Sequence, residues 1–261
     1  MAPRDLQALL GELADLAAGA GMQPRTNPYG ADREQVGDLL LPGTEGPHPV
    51  VVLLHGGFWR ARFDRSLMAA LAVDLADRGW ATWNVEYRRV GNGGGVPETL
   101  DDVRAAIAAL ADLSEPLEAG RLVIVGHSAG GQLGLCVADE PAVTGVVSLA
   151  GVCDLASAFA DALGESATEA FMGGGPDDRP AEYALADPLR RVPAPAQVLL
   201  VHGDADQRVP VAQSRRYAQV AAAAGDARCE LVELAGVDHF ALIDPRTEAW
   251  AMIAARLETM R

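Results

Sequence analysis

The stretch Leu122-Val123-Ile124-Val125-Gly126-His127-Ser128-Ala129-Gly130-Gly131-Gln132-Leu133-Gly134-Leu135-Cys136-Val137-Ala138 decides the fold. Its first four residues are apolar without alternation, as in a strand buried on both faces, and residues 129–138 are compatible with a helix. Between them, Gly126-His127-Ser128-Ala129-Gly130 has to turn sharply. Such a turn holds the serine in a strained conformation with its hydroxyl exposed at the helix start, and glycine is required two residues to either side because a side chain there would strike neighbouring backbone. With 28 glycines in 261 residues, a G-x-S-x-G match is expected by chance only about 0.08 times. The competing reading, a dinucleotide loop G-x-G-x-x-G, fails because Ser128 stands where bare backbone must approach the pyrophosphate, and because the match lies mid-chain.

Outward from this turn, strand-like and helix-like segments alternate. Residues 50–54, 81–85, 122–125, 146–149 and 198–201 read as buried strands, 36–41 as an edge strand and 230–234 as the last strand. Helices fit at about 65–78, 98–112, 129–138, 210–224 and 245–260, and the first twenty residues form an amphipathic segment through Leu6, Leu9, Leu10, Leu13 and Leu16. This alternation predicts one α/β domain over residues 1–261, with a mostly parallel central sheet, helices on both faces and a site at the carboxyl ends of the strands.

All 21 basic residues are arginine. The absence of lysine excludes a Schiff-base lysine, pyridoxal phosphate chemistry and a Walker-type phosphate loop. A formal charge of −15, with 49% hydrophobic and 22% charged residues, describes a soluble globular chain and disfavours nucleic acid or an anionic membrane as partner. Cys136, Cys153 and Cys229 fit neither a disulfide framework nor a metal site, and no segment has the pattern of a signal peptide or a membrane span. The expectation is a cytoplasmic protein without metal or cofactor, acting on a small molecule rather than on nucleic acid or membrane, with a homodimer allowed.

Three strand ends carry unusual residues: His55-Gly56-Gly57-Phe58-Trp59, the serine turn, and His202-Gly203-Asp204-Ala205-Asp206. Acyl transfer needs a nucleophile, a base, an acid to orient the base, and donors for the oxyanion. A glycine pair such as Gly56-Gly57 can turn N–H groups toward a substrate oxygen. Of the five histidines, His48 falls in a Pro-rich loop, His55 and His202 are placed to brace their glycine turns, and His127 should point away from the neighbouring serine hydroxyl. His239 remains as the general base, after the last strand, in the chain order Ser, Asp, His. Spacing leaves Asp204 and Asp206 both open as the acid, whereas Asp238 is too close in sequence to buttress His239.

The segment His55-Gly56-Gly57-Phe58-Trp59 resembles the H-G-G-x-W mark of esterases and arylformamidases within the α/β-hydrolase fold. Tyr29-Gly30, Asp38-Leu39-Leu40-Leu41-Pro42, Glu86-Tyr87-Arg88, Asp101-Asp102-Val103 and Asp206-Gln207-Arg208-Val209-Pro210 are similar to other segments of those enzymes, so the resemblance covers nearly the whole chain. In that family the acid precedes a Val-Pro-type proline by four residues, which implies Asp206. The resemblance thus implies a Ser128, Asp206 and His239 triad and an oxyanion hole from the N–H groups of Gly57, Phe58 and Ala129. Phe58, Trp59 and His127 are expected next to the substrate, with Trp59 either lining the acyl pocket or packing beneath the oxyanion loop. Glu86, Arg88 and Asp102 are expected to form a structural charge cluster. Residues 154–195 are long for a connection and contain Phe159, Phe171, Met172 and Gly173-Gly174-Gly175, so a partial cover with glycine hinges is expected there. Gly91 to Gly95 could border the same pocket. The implied activity is a carboxylesterase. An arylformamidase acting on N-formylkynurenine or a related aryl formamide is the alternative, followed by a peptidase, thioesterase or acyltransferase. A non-catalytic ligand-binding protein is disfavoured because all three triad positions are filled.

Overall fold

A computed structural model of the protein describes residues 6–260; residues 1–5 of the predicted first helix lie outside them. The sheet has eight strands: β1 (Arg25–Pro28), β2 (Val36–Leu40), β3 (His48–Leu54), β4 (Ala81–Val85), β5 (Leu117–His127), β6 (Val143–Leu149), β7 (Gln197–Gly203) and β8 (Cys229–Leu234). They lie in the order β1-β2-β4-β3-β5-β6-β7-β8. The β1–β2 and β2–β4 pairs are antiparallel and all the others parallel. This is an α/β-hydrolase fold.

Strand alternation divides the core into two layers. Val50, Val52, Leu54, Leu122 and Ile124 face one side, where they meet Leu100, Val103 and Ile107 of α3 (Glu98–Ala109), Leu133 of α4 (Ala129–Cys136) and Tyr217 and Ala221 of α8 (Ala212–Ala223). Val51, Leu53, Val123 and Val125 face the other, against Leu71 and Leu75 of α2 (Ala69–Asp77) and Trp250, Ile253 and Leu257 of α9 (Glu248–Glu258). Since a central parallel strand is buried on both faces, its sequence carries no alternation. The helix α1 (Leu6–Gly19) sets Leu9 and Leu13 against Ala70 and Phe240.

Two strand expectations are corrected. Residues 36–40 are not the edge, because β1 pairs outside them; Arg25-Thr26-Asn27-Pro28 is largely exposed and polar, so it gives no apolar signal. His48 is not in a loop but opens β3, 4% exposed.

Between β6 and β7 lie α5 (Leu155–Ala160), α6 (Leu163–Met172), α7 (Pro180–Ala186) and a short 3-10 turn (Pro188–Arg191). The backbone strain in this segment is not at Gly173-Gly174-Gly175. It lies at the start of α6, where Ala162, Gly164, Glu165 and Ser166 have φ of 47° to 60°. Gly173 instead ends α6 in the left-handed cap position.

Candidate active site

The sheet order fixes which loops meet. The loop after β3 adjoins the turn after β5, and the loops after β7 and β8 approach from the other side. Ser128 has φ 55° and ψ −116° at the N-terminus of α4, 1% exposed, with its N–H donated to the Leu149 carbonyl at 2.8 Å. A Cβ at Gly126 would stand 2.2 Å from the Gly130 carbonyl oxygen, and one at Gly130 2.1 Å from that of Leu54. Both glycines are therefore required by close backbone approach, as the turn demanded.

His239 Nδ1–H donates to Asp206 Oδ2 at 2.6 Å. That bond fixes the tautomer and leaves Nε2 as the ring's basic nitrogen. The other carboxylate oxygen, Oδ1, accepts the N–H groups of Arg208 at 2.7 Å and Val209 at 2.9 Å, which locks the acid loop. His202 lies 3.3 Å from Asp206 Oδ2 through Nε2, while its Nδ1 faces Ser214 Oγ at 2.7 Å. Burial alone would raise the Asp206 carboxyl, but the bonds from His202 and His239, the His239 charge and the Val209 N–H outweigh it and hold the pKa well below the usual carboxylate range. Among the described residues, the Asp204 side chain, by contrast, accepts the Gly236 N–H at 2.6 Å, and Asp238 caps the N–H groups of Phe240 and Ala241. The acid beside His239 is Asp206.

The loop after β3 is equally constrained. Gly57, Phe58 and Trp59 have φ of 113°, 50° and 54°. A Cβ on Gly57 would meet Phe63 Cβ at 2.4 Å, and one on Gly56 would lie 3.0 Å from Ser128 Cβ. Among the described residues, the N–H groups of Gly57, Phe58 and Ala129 donate to no protein acceptor. His55 braces the loop: Nδ1 faces the Gly56 carbonyl at 2.7 Å, Nε2 faces Glu86 at 3.0 Å, and the ring stacks on Tyr87 with centroids 4.3 Å apart.

A cavity of about 180 Å³ is lined by Ser128, His239, His127, Gly57, Phe58 and Phe240, among others. Trp59 is absent from its wall, which corrects its placement next to the substrate. It is 1% exposed beneath the loop, stacked on Phe171 at 4.5 Å, with Nε1–H donated to Gln132 at 2.9 Å. An indole needs a partner for its N–H when buried, and Gln132 of α4 supplies it. Gly91 to Gly95 do not line the cavity either; Gly94 packs on the Arg88 backbone and Gly95 lies near Phe171.

His127 does line the cavity, and it also has a role the sequence did not disclose. Its Nε2–H donates to the His239 carbonyl at 3.0 Å, and the two rings lie 4.5 Å apart. Burial, reinforced by His239, pushes its pKa down to about 3, so the ring is neutral. The turn that carries Ser128 is thus tied directly to the loop that carries His239.

The expected charge cluster resolves into two. Arg88 grips Asp102 through Nε at 2.9 Å and Nη2 at 2.6 Å, while Glu86 takes His55, Arg89 and the Arg65 N–H. Residues 154–195 line the cavity through Gly164 and Glu165: Arg60 donates to Glu165 at 3.0 Å and to the Gly164 carbonyl at 2.5 Å, and Gly164 leaves room for the Phe58 ring. Cys136 and Cys153 are buried, which pushes both thiols up to about 12. Among the described residues no group of three His, Cys, Asp or Glu side chains could hold a metal, and no helix is long and apolar enough to cross a membrane.

The sequence profile of the prolyl oligopeptidase family matches residues 71–257, a span that contains Ser128, Asp206 and His239. The chain belongs to the prolyl oligopeptidase family. The H-G-G-x-W segment at 55–59 precedes the span matched to this family. Among curated relatives, Esterase LipC of Mycobacterium tuberculosis is 28% identical over 225 residues, covering 76% of this chain and 54% of the relative. The chain spans about half the length of the curated relatives it matches. Among solved structures, Esterase B from Lactobacillus rhamnosis superposes with a TM-score of 0.79 at 18% identity, covering 97% of this chain and 92% of that one. Esterase 2 of Thermogutta terrifontis with propionate bound gives 0.73 at 21% identity, covering 90% and 92%. At these identities the structures show that this member of the prolyl oligopeptidase family shares their fold.

Proposed function

We propose that the chain is a serine carboxylesterase that cleaves small carboxylic esters through an acyl-enzyme. The observation that carries this is the 2.6 Å bond from His239 Nδ1 to Asp206, with His239 lining one cavity together with Ser128, which is held at a positive φ. In the first half-reaction His239 Nε2 takes the Ser128 proton as Oγ attacks the ester carbonyl. The oxyanion that forms is met by the N–H groups of Gly57, Phe58 and Ala129, which have no competing acceptor and cost no reorganisation. His239 then protonates the departing alcohol. Water repeats the sequence on the acyl group and releases Ser128.

The ester reading is supported by the curated relatives, both described as esterases. A short acyl chain is supported by the cavity of about 180 Å³ and by the propionate held in the Thermogutta esterase. Amide cleavage asks more of His239, because the leaving nitrogen must be protonated as it departs. The test is kcat/KM for 4-nitrophenyl acetate, butyrate and octanoate against N-formylkynurenine on one preparation. Acetate and butyrate should be fastest; a formamide rate at least about a hundredfold above the ester rates would replace this reading with an arylformamidase.

A further inference from the structure

We infer that the substrate carries a carboxylate, held at the mouth of the Ser128 cavity between Arg62 and Arg208; this names the substrate class within the esterase reading above and rests on it. The chain has a formal charge of −15, yet the cavity is lined by Arg60, Arg62 and Arg208 against one carboxylate, Glu165. Arg60 is already engaged by Glu165 and the Gly164 carbonyl. Arg62 and Arg208 pair with no carboxylate among the described residues. That is unusual in a chain where acids outnumber arginines 36 to 21 and where Arg65, Arg88, Arg89 and Arg215 all hold carboxylate partners.

The two arginines come from different loops, after β3 and after β7. Arg62 follows the oxyanion loop and lies over the Phe63 ring, 5.0 Å from its centroid, on a ring that itself lines the cavity. Arg208 stands two residues after Asp206, with its backbone N–H anchored on that carboxylate at 2.7 Å and its side chain left exposed. Guanidinium forks suit a planar carboxylate, and a local positive mouth offsets the repulsion that the rest of the protein exerts on an anion. Leu10, Leu67, Phe58 and Phe240 supply apolar wall beside them. The surface therefore fits an ester with an apolar body and one anionic end.

Two matched pairs test this and locate the anion. In 4-acetoxybenzoate against 4-acetoxybenzamide the charge is on the leaving group; in mono-4-nitrophenyl adipate against 4-nitrophenyl hexanoate it is on the acyl group. The wild type should favour the anionic member of at least one pair by about tenfold or more in kcat/KM. That ratio should shrink as salt is raised. It should fall to about one in the Arg62→Gln, Arg208→Gln double variant and below one in Arg62→Glu. Equal or lower rates for both anions, or a preference untouched by the double variant, would overturn the inference. Failure of the esterase reading looks different: ester hydrolysis would be absent, or would persist in Ser128→Ala. In that event calorimetric titration of Ser128→Ala with 4-acetoxybenzoate and 4-acetoxybenzamide still reads the preference without turnover, and equal binding overturns it.

Discussion

The ends of β3 and β7 carry the same dipeptide, His55-Gly56 just after β3 and His202-Gly203 as the last two residues of β7, and the loops that follow end in different chemistry. Both histidines are almost fully buried, and both hold their loop through ring nitrogens: His55 against Gly56 and Glu86, His202 against Ser214 and the Val209 carbonyl. After the shared brace, the first loop runs through three left-handed residues and leaves N–H groups unclaimed, whereas the second winds its N–H groups around a carboxylate. The same buried histidine therefore serves to fix a donor surface in one loop and an acceptor in the other. What a strand-end histidine does is set by the residues that follow it.

The sharpest way to break this comparison is at the acceptor. Asp206→Asn should lower kcat on the order of 10⁴-fold, because the amide no longer enforces the His239 tautomer. Asp204→Asn should cost no more than about threefold, since an amide oxygen still accepts the Gly236 N–H. Steady-state kinetics on the two variants checks both; the reverse order would move the acid to Asp204.

At the donor loop, Gly57→Ala should cost on the order of 10²-fold in kcat, because the new Cβ meets Phe63 and φ of 113° disfavours alanine. Circular dichroism and the melting temperature separate a displaced loop from a misfolded chain. The braces themselves should differ less. His55→Asn and His202→Asn should each lose about 1–3 kcal/mol of stability by denaturant titration. Both should also lower kcat, by about tenfold, the first by loosening the Gly57 and Phe58 donors and the second by loosening Asp206. Unchanged kcat in both variants would mean that the two histidines act on stability alone.

Asp187 sharpens the contrast with Asp206 at the smallest scale. Burial pushes it up to about 6, reinforced by Asp154, although it accepts the Leu155 and Leu189 N–H groups and faces Arg190. Below pH 3.8 the carboxyl is protonated in both folded and unfolded chains and contributes nothing to the pH dependence. Between there and about 6 the folded state keeps a proton that the unfolded state has lost, so stability falls as pH rises. Asp187→Asn should thus stabilise the protein at pH 7, by at most about 3 kcal/mol, and be neutral near pH 3.5. Melting temperatures at the two pH values measure it, and a gain at low pH would refute the sign.

The central strands were legible because burial on both faces removes alternation, and Ser128 because the turn leaves room only for glycine at 126 and 130. β1 was not, since a polar edge strand looks like a loop. The loop after β8 meets both Asp204, through the Gly236 N–H, and Asp206, through His239, and which of the two takes the imidazole is a tertiary fact that spacing does not encode. The same holds for Trp59, whose direction depends on Phe171 and Gln132, more than 70 positions along the chain. His127 ties the two halves of the site through a backbone carbonyl, which no residue identity announces. Arg62 and Arg208 are given no role by any motif, and only the fold sets both on the wall of one cavity.

The central claim is that Ser128 is a nucleophile activated by its position, and one measurement addresses it directly. Native protein treated with a fluorophosphonate and digested for mass spectrometry should carry a single adduct, on Ser128. The Ser128→Ala variant, with an unchanged melting temperature, should carry none, and its ester hydrolysis should fall on the order of 10⁴ to 10⁶-fold. An adduct elsewhere, or labelling and turnover that survive the substitution, would contradict the account.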